Sequence, residues 1–258
     1  MVHVHEFVVN ISCGDMKRLN TSTIFKGKVK MEEYIIWTFC NYGYREYAEN
    51  LYENLKKYGK KLVIYCLDDE SCEYFEKKGI DTYVKYERGV KNEIIYFGEA
   101  GFNNLCKIKF EITNKLNEKG INQIYIDGDI YFLKDVFDEI IELCEMYDYV
   151  IQNDMDNPKS RTNHCTGFYG IKGTSRGFVQ MTKGYMSSKS ADQKIYRENY
   201  KKYWKNVNVC VLDRYVYING AVLKEYGIRE ETKMVHFNYI IGNEKKEIMK
   251  EKGCWKLN

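Results

Sequence analysis

From residue 34 onwards, short apolar runs alternate with longer stretches of helical periodicity. The runs YIIWTFC (Tyr34–Cys40) and LVIYCL (Leu62–Leu67) are short and rich in β-branched and aromatic residues. Such runs predict strands buried on both faces. Between them Tyr44, Tyr47, Leu51, Leu55 and Tyr58 fall on one helical face, so a helix is expected over 44–58, ended by Gly59. A short helix over 70–78 stops at Gly79, a strand follows at 82–86, and a long helix over 99–119 ends at Gly120. Two further apolar runs flank Asp127-Gly128-Asp129, and a helix over 136–147 leads to strands at 149–152 and 168–171. The remainder reads as mostly helical, with a late strand at 234–239 and a closing helix at 243–252. This alternation predicts an α/β fold with a mostly parallel central sheet flanked by helices, and ligands at the carboxyl ends of the strands. Asn41, Asp68 and Asp127 stand at such ends. Residues 1–31 hold one possible strand (Phe7–Ile11) and read as an N-terminal arm, with residues 32–258 as one domain.

Composition removes several functions. Forty basic and 37 acidic residues leave a net charge of +3. The lysines are dispersed, so no nucleic-acid stripe is expected. Nine cysteines without paired spacing form neither a zinc signature nor a disulfide framework, which fits reduced thiols. The N-terminus is too polar for a signal peptide, and no run approaches the roughly 18 apolar residues of a membrane span. A cytoplasmic protein is the expectation.

Chemistry concentrates at Asp127 and Asp129. In a strand, residues i and i+2 share a face, so the two carboxylates are expected side by side. Acids this close amid apolar sequence need a cation or donors to compensate them. Hard oxygen ligands with room left for phosphate suit Mg²⁺ or Mn²⁺. A second Asp-x-Asp, Asp154-Met155-Asp156, runs into Asn157-Pro158 and by itself reads as a turn.

On the 99–119 helix, Lys109 shares a face with Phe102, Leu105, Ile112 and Leu116, whereas Lys107 is expected to face solvent. Lys109 lies about 15 Å before the helix end at 1.5 Å per residue. Asp127 lies about 17 Å along the following strand. The two run antiparallel, so the lysine should stand level with the carboxylate. His236 is a further candidate ligand. Gly242-Asn243 opens a helix whose first turn carries Lys245 and Lys246, an arrangement suited to phosphate.

The ordered set IYIDGDIYFLKDV, TFCNYGY, CTGFYGIK, ADQKIY and HFNYIIGNEKK…GCW resembles the nucleotide-diphospho-sugar transferases, glycosyltransferases of the GT-A fold with a DxD motif. The resemblance runs from about residue 34 to 255. It implies a metal-dependent transfer of sugar from a nucleotide sugar to an acceptor, with UDP as the expected nucleotide and retention of configuration. It implies a divalent cation, Mn²⁺ or Mg²⁺, on Asp127, Asp129 and His236. Thr38, Asn41, Tyr44 and Asp68 would surround base and ribose. Lys109 would steady the DxD and the donor phosphate. Asp154, Thr166, Gly167, Asp192 and Gln193 would line the sugar pocket, and Gly242 and Lys245 would hold the diphosphate. The acceptor would be a glycan, a protein or a small molecule. Two departures stand out. His236 lies six residues before Gly242, where glycogenin-like enzymes have a shorter spacing, and Cys165 replaces the Asn they often carry.

Two other readings remain open at this point. A non-catalytic nucleotide-sugar-binding module has the same binding residues. A haloacid-dehalogenase-type phosphohydrolase also has Asp-x-Asp after a buried strand. However, Tyr131 stands where that pattern has Thr or Val, and no late acidic motif is clear.

Overall fold

The computed structural model describes residues 34–86, 89–90, 92–96, 98–154 and 163–257. The expected arm at 1–31, with its strand at Phe7–Ile11, and residues 155–158 lie outside them.

The apolar runs become the middle of a seven-stranded sheet. Strands β1 (Ile35–Cys40), β2 (Leu62–Cys66), β3 (Tyr83–Lys85) and β4 (Gln123–Ile126) are parallel neighbours in the order β3-β2-β1-β4. Next to β4 lies β7 (His164–Ile171), antiparallel both to β4 and to β6 (Tyr149–Asn153). Strand β8 (Val209–Val211) closes the edge parallel to β6. The sheet is therefore mostly parallel, with β7 reversed.

Alternation along the strands feeds two cores. Ile36, Cys40, Ile124 and Ile126 face α1 (Arg45–Lys56), α2 (Asp69–Lys77) and α4 (Phe137–Met146), packing with Leu51, Leu55, Phe75 and Ile140. Trp37, Tyr125, Tyr149 and Tyr169 face α3 (Phe102–Glu118), α5 (Gly177–Thr182) and α6 (Asp192–Tyr203), packing with Phe110, Ile112, Phe178 and Tyr196. Each fully buried apolar side chain of this size contributes about 1.5–3 kcal/mol.

A second, three-stranded sheet is ordered β5-β10-β9. Here β10 (Met234–His236) runs antiparallel to β5 (Ile130–Phe132) and parallel to β9 (Tyr217–Asn219). Helices α7 (Gly220–Tyr226) and α8 (Asn243–Glu251) follow its strands, and Val222, Phe237 and Met249 share its core.

Several sequence expectations are corrected. The stretch after β7 is not mostly helical, because it contributes β8 and β9, each too short for its period to register. The helix expected from Tyr44 begins at Arg45, after a 3-10 turn over Tyr42–Tyr44 capped by Asn41. The late strand stops at His236, and Tyr239 then adopts a left-handed backbone at φ 60°. Among the described residues no helix is long and apolar enough to cross a membrane.

Candidate functional site

The site forms where the two sheets part. Strand β4 ends at Ile126, and the Asp127 amide donates to the Gly167 carbonyl at 2.7 Å. The chain then turns, with the Ile130 amide on the Asp127 carbonyl at 3.1 Å, and enters the small sheet as β5. Asp127 and Asp129 are thus not in one strand, as the alternation argument expected. They occupy the turn between two sheets, and the turn rather than the pleat makes their carboxylates converge. The Phe237 amide donates to the Asp129 carbonyl at 3.0 Å and fixes this turn to the end of β10.

That tie brings in His236. Its Nε2 lies 3.2 Å from Asp129 Oδ1 and 3.7 Å from Asp127 Oδ2. The ligand atoms of Asp127, Asp129 and His236 all lie within 4.8 Å of one another, a spacing suited to one metal ion. Gly167 makes room for them. A Cβ there would stand 2.3 Å from His236 Cε1 and 2.6 Å from Asp127 Oδ2.

Two ammonium groups flank the acids. Lys109 Nζ lies 3.2 Å from Asp127 Oδ1, 2.9 Å from Asp192 Oδ2 and 3.3 Å from the Thr166 carbonyl. Burial disfavours its charge, but Asp127 and Asp192 outweigh that and raise its pKa well above the ordinary lysine value. Lys245, from the first turn of α8, pairs with Asp129 Oδ2. Burial likewise opposes ionisation of Asp129, yet the Lys245 ammonium holds its carboxyl well below the usual range. Three carboxylates, Asp127, Asp129 and Asp192, therefore face two ammonium groups.

Lys107 does not face solvent as expected. It is buried, and its Nζ donates to the Ser188 carbonyl at 2.7 Å, because the 184–190 segment covers that side of α3.

Asp192 begins α6 and also accepts the Thr166 hydroxyl at 2.6 Å. Its neighbour Gln193 donates to Asp154, which is 3% exposed. Asp154 accepts three further bonds, from Asn219 and Asn238 amides at 3.1 Å each and from the Tyr239 hydroxyl at 3.0 Å. The carboxylate thus joins the ends of β6, β9, β10 and α6. Cys165, with its thiol 3.5 Å from His236 Nδ1 and 3.7 Å from the Asn238 amide, connects this hub to the acids. Burial pushes that thiol's pKa well up.

Thr38, Asn41, Tyr44 and Asp68 form a second group at the ends of β1 and β2. Asn41 donates to the Glu93 carbonyl at 2.7 Å, and the Tyr44 hydroxyl donates to the Ile95 carbonyl at 2.7 Å. The 93–95 backbone sits so close that a Cβ on Gly43 would meet Ile94 N at 2.3 Å. Asp68 accepts the Ser71 amide as the cap of α2 and the Tyr42 amide through its other oxygen, both at 2.8 Å. The Thr38 hydroxyl is buried in β1 and has no hydrogen-bond partner among the described residues. A Cβ on Gly128 would stand 3.4 Å from Tyr47 Cβ, so the turn between Asp127 and Asp129 backs onto α1. Gly242, at φ 72°, opens α8 beside Lys245.

Sequence reasoning missed Tyr125, whose hydroxyl donates to Asp127, and Gln152, Asn219 and Asn238. A signal for Gln152 was present, since a lone amide in the apolar run YVIQN has to find partners.

A profile of the nucleotide-diphospho-sugar transferases matches residues 59–249. The chain belongs to that family. The chain is also 25% identical, over an alignment of 291 positions, to a UDP-galactose:fucoside alpha-3-galactosyltransferase of Dictyostelium discoideum. The alignment covers 89% of this chain but 45% of the relative, so the chain spans about half the relative's length. Among solved structures, galactosyltransferase LgtC with donor and acceptor sugar analogs has a TM-score of 0.55 at 10% identity, covering 87% of this chain and 97% of that one. The bifunctional enzyme WbbM has a TM-score of 0.54 at 11% identity, over 83% of this chain and 47% of that one. At these identities the likeness establishes the fold, GT-A, for this transferase.

Proposed function

We propose that this transferase moves a sugar from a UDP-sugar to a glycoside acceptor, with retention, and that it needs a divalent cation, Mn²⁺ or Mg²⁺. One observation carries the reading: Asp127, Asp129 and His236 converge on a common point, with an ammonium group on each side. Three carboxylates against two ammonium groups leave net negative charge where a diphosphate would have to bind. The donor set fits a divalent cation, with two hard carboxylates for either ion and an imidazole that favours Mn²⁺. When bound there, such a cation supplies positive charge to the departing nucleoside diphosphate.

The chain's own residues do the rest. Lys109 is held by two carboxylates and a carbonyl, so it keeps the Asp127 carboxylate in place. Lys245, paired with Asp129 at a helix start, turns from that carboxylate towards the diphosphate as negative charge develops on it. Gly242 leaves the backbone there open to a phosphate. Thr166, Gly167, Asp192, Gln193 and Asp154 bound the sugar pocket. Asn41, Tyr44, Thr38 and Asp68 bound the base and ribose. The Dictyostelium relative is named for UDP-galactose and a fucoside, which makes these the first donor and acceptor to try.

The test is a panel of nucleotide sugars screened for Mn²⁺-dependent thermal stabilisation. One preferred donor should stabilise the fold by roughly 2.7 kcal/mol at a hundred times its dissociation constant. Turnover with fucosides then separates transfer from mere binding. No donor gaining affinity from Mn²⁺ would overturn the reading.

A further inference from the structure

We infer that Gln152 is a positioning residue that fixes the tautomer of His236 and so presents a bare Nε2 to the cation. The inference rests on the metal reading above for its purpose, but not for its geometry.

The argument starts from two carbonyl groups that can only accept. Gln152 Nε2 lies 3.2 Å from the Tyr217 carbonyl and 3.3 Å from the Ile218 carbonyl. Only the amide nitrogen can face them, because a flipped amide would set three oxygens against one another. The amide oxygen is thereby turned to His236, at 2.8 Å from Nδ1. An oxygen without a proton requires a donor, so Nδ1 carries the hydrogen. In the neutral ring Nε2 is then left with its lone pair.

That lone pair points at two carboxylates, 3.2 Å and 3.7 Å away. Lone pair against carboxylate is repulsive unless a cation lies between them. The opposite tautomer would satisfy Asp129 with an N–H and leave no nitrogen ligand, so Gln152 selects the arrangement that suits a metal. Ligating histidines commonly donate their second nitrogen in this way.

The fold is shaped to deliver this amide. Gln152 and His236 are both buried, so water does not replace the contact. The β6–β7 pairing jumps at this point, from Ile151 opposite Tyr169 to Gln152 opposite Cys165. Thr166, Gly167 and Phe168 are the extra residues of the resulting bulge, and bulges re-aim side chains. The same irregularity brings Gly167 against the His236 ring and the Thr166 carbonyl onto Lys109.

Nitrogen NMR of the metal-free full chain with labelled histidine tests this directly, with the His236 signal assigned through His236→Gln. At a pH where the ring is neutral, the wild type should show a protonated Nδ1 and an unprotonated Nε2. Gln152→Leu should lose that preference and bind Mn²⁺ about 10–100-fold more weakly by calorimetry. Gln152→Glu retains an acceptor and should keep the Nδ1–H tautomer. If the leucine variant does not fold, the wild-type and glutamate spectra still decide. A wild-type ring protonated at Nε2 would overturn the inference. So would a folded Gln152→Leu with unchanged tautomer and affinity. A Gln152-dependent tautomer in a protein that binds no Mn²⁺ would instead overturn the metal reading and leave the positioning role standing.

Discussion

The acidic corner at Asp127, Asp129 and His236 and the neighbouring cradle at Asn41, Tyr44 and Asp68 handle polar groups in opposite ways. In the corner, charge faces charge, with Lys109 and Lys245 on Asp127, Asp192 and Asp129. Removing those groups from water costs free energy that their mutual attraction only partly offsets. In the cradle, neutral side chains and one capping carboxylate bond the protein's own backbone, at Glu93, Ile95, Tyr42 and Ser71. Such bonds contribute about 1 kcal/mol each to stability. On the proposed reading the corner serves a ligand's charge, whereas the cradle's bonds hold the scaffold. Substitutions in the first should strike turnover, whereas those in the second should leave kcat little changed.

The largest effect should come from the corner's ligands. Asp129→Asn and His236→Ala should each cut transfer by more than the roughly 10²–10³-fold that one electrostatic donor is worth. Both should fold, since each removes a group from a charge cluster rather than from the core. A variant with the parent's melting profile and full Mn²⁺-supported turnover would remove that residue from the site.

Lys109→Met comes next. It leaves Asp127 and Asp192 without their shared cation, so turnover should fall by about 10²-fold and stability by about 3–5 kcal/mol. Lys107→Met is the sharper control because Lys107 is also buried, yet among the described residues its ammonium bonds the Ser188 carbonyl and no carboxylate. It should lose about 1 kcal/mol in denaturant melts with turnover intact. Equal turnover in the two variants would contradict the distinction.

Gly167→Ala places a methyl group against His236 and Asp127. Overpacking of this kind costs about 1–3 kcal/mol, and the displaced ring should weaken Mn²⁺ binding measured by calorimetry. Smallest are the cradle changes. Asn41→Ala and Tyr44→Phe should each lose about 1 kcal/mol of stability and raise the donor KM with kcat little changed. A collapse of kcat in either would erase the contrast between the two regions.

The sequence made the frame of the fold legible because β1, β2, β4 and β6 are buried on both faces and carry dense apolar runs. Strands β8 and β9, with three residues each, have too little length for any period to appear. Lys109 was legible because helix rise and strand rise are rigid rulers, and its ammonium stands 3.2 Å from Asp127. Lys107 was misread because helical phase says which side a residue faces and not what covers that side, here the segment carrying Ser188. The Asp127–Asp129 turn was read as strand because glycine between apolar runs fits either. The hub on Asp154 was illegible from the residues alone, since its four donors come from three separate segments of the chain.

The central claim is that the acidic corner takes a divalent cation and, through it, a nucleotide sugar. Calorimetry of UDP-galactose binding, with Mn²⁺ and then with EDTA, on the wild type and Asp129→Asn tests it most directly. The account predicts binding by the wild type with Mn²⁺, a large loss of affinity with EDTA, and weak binding by Asp129→Asn in both conditions. Equal wild-type affinity with Mn²⁺ and with EDTA would contradict it.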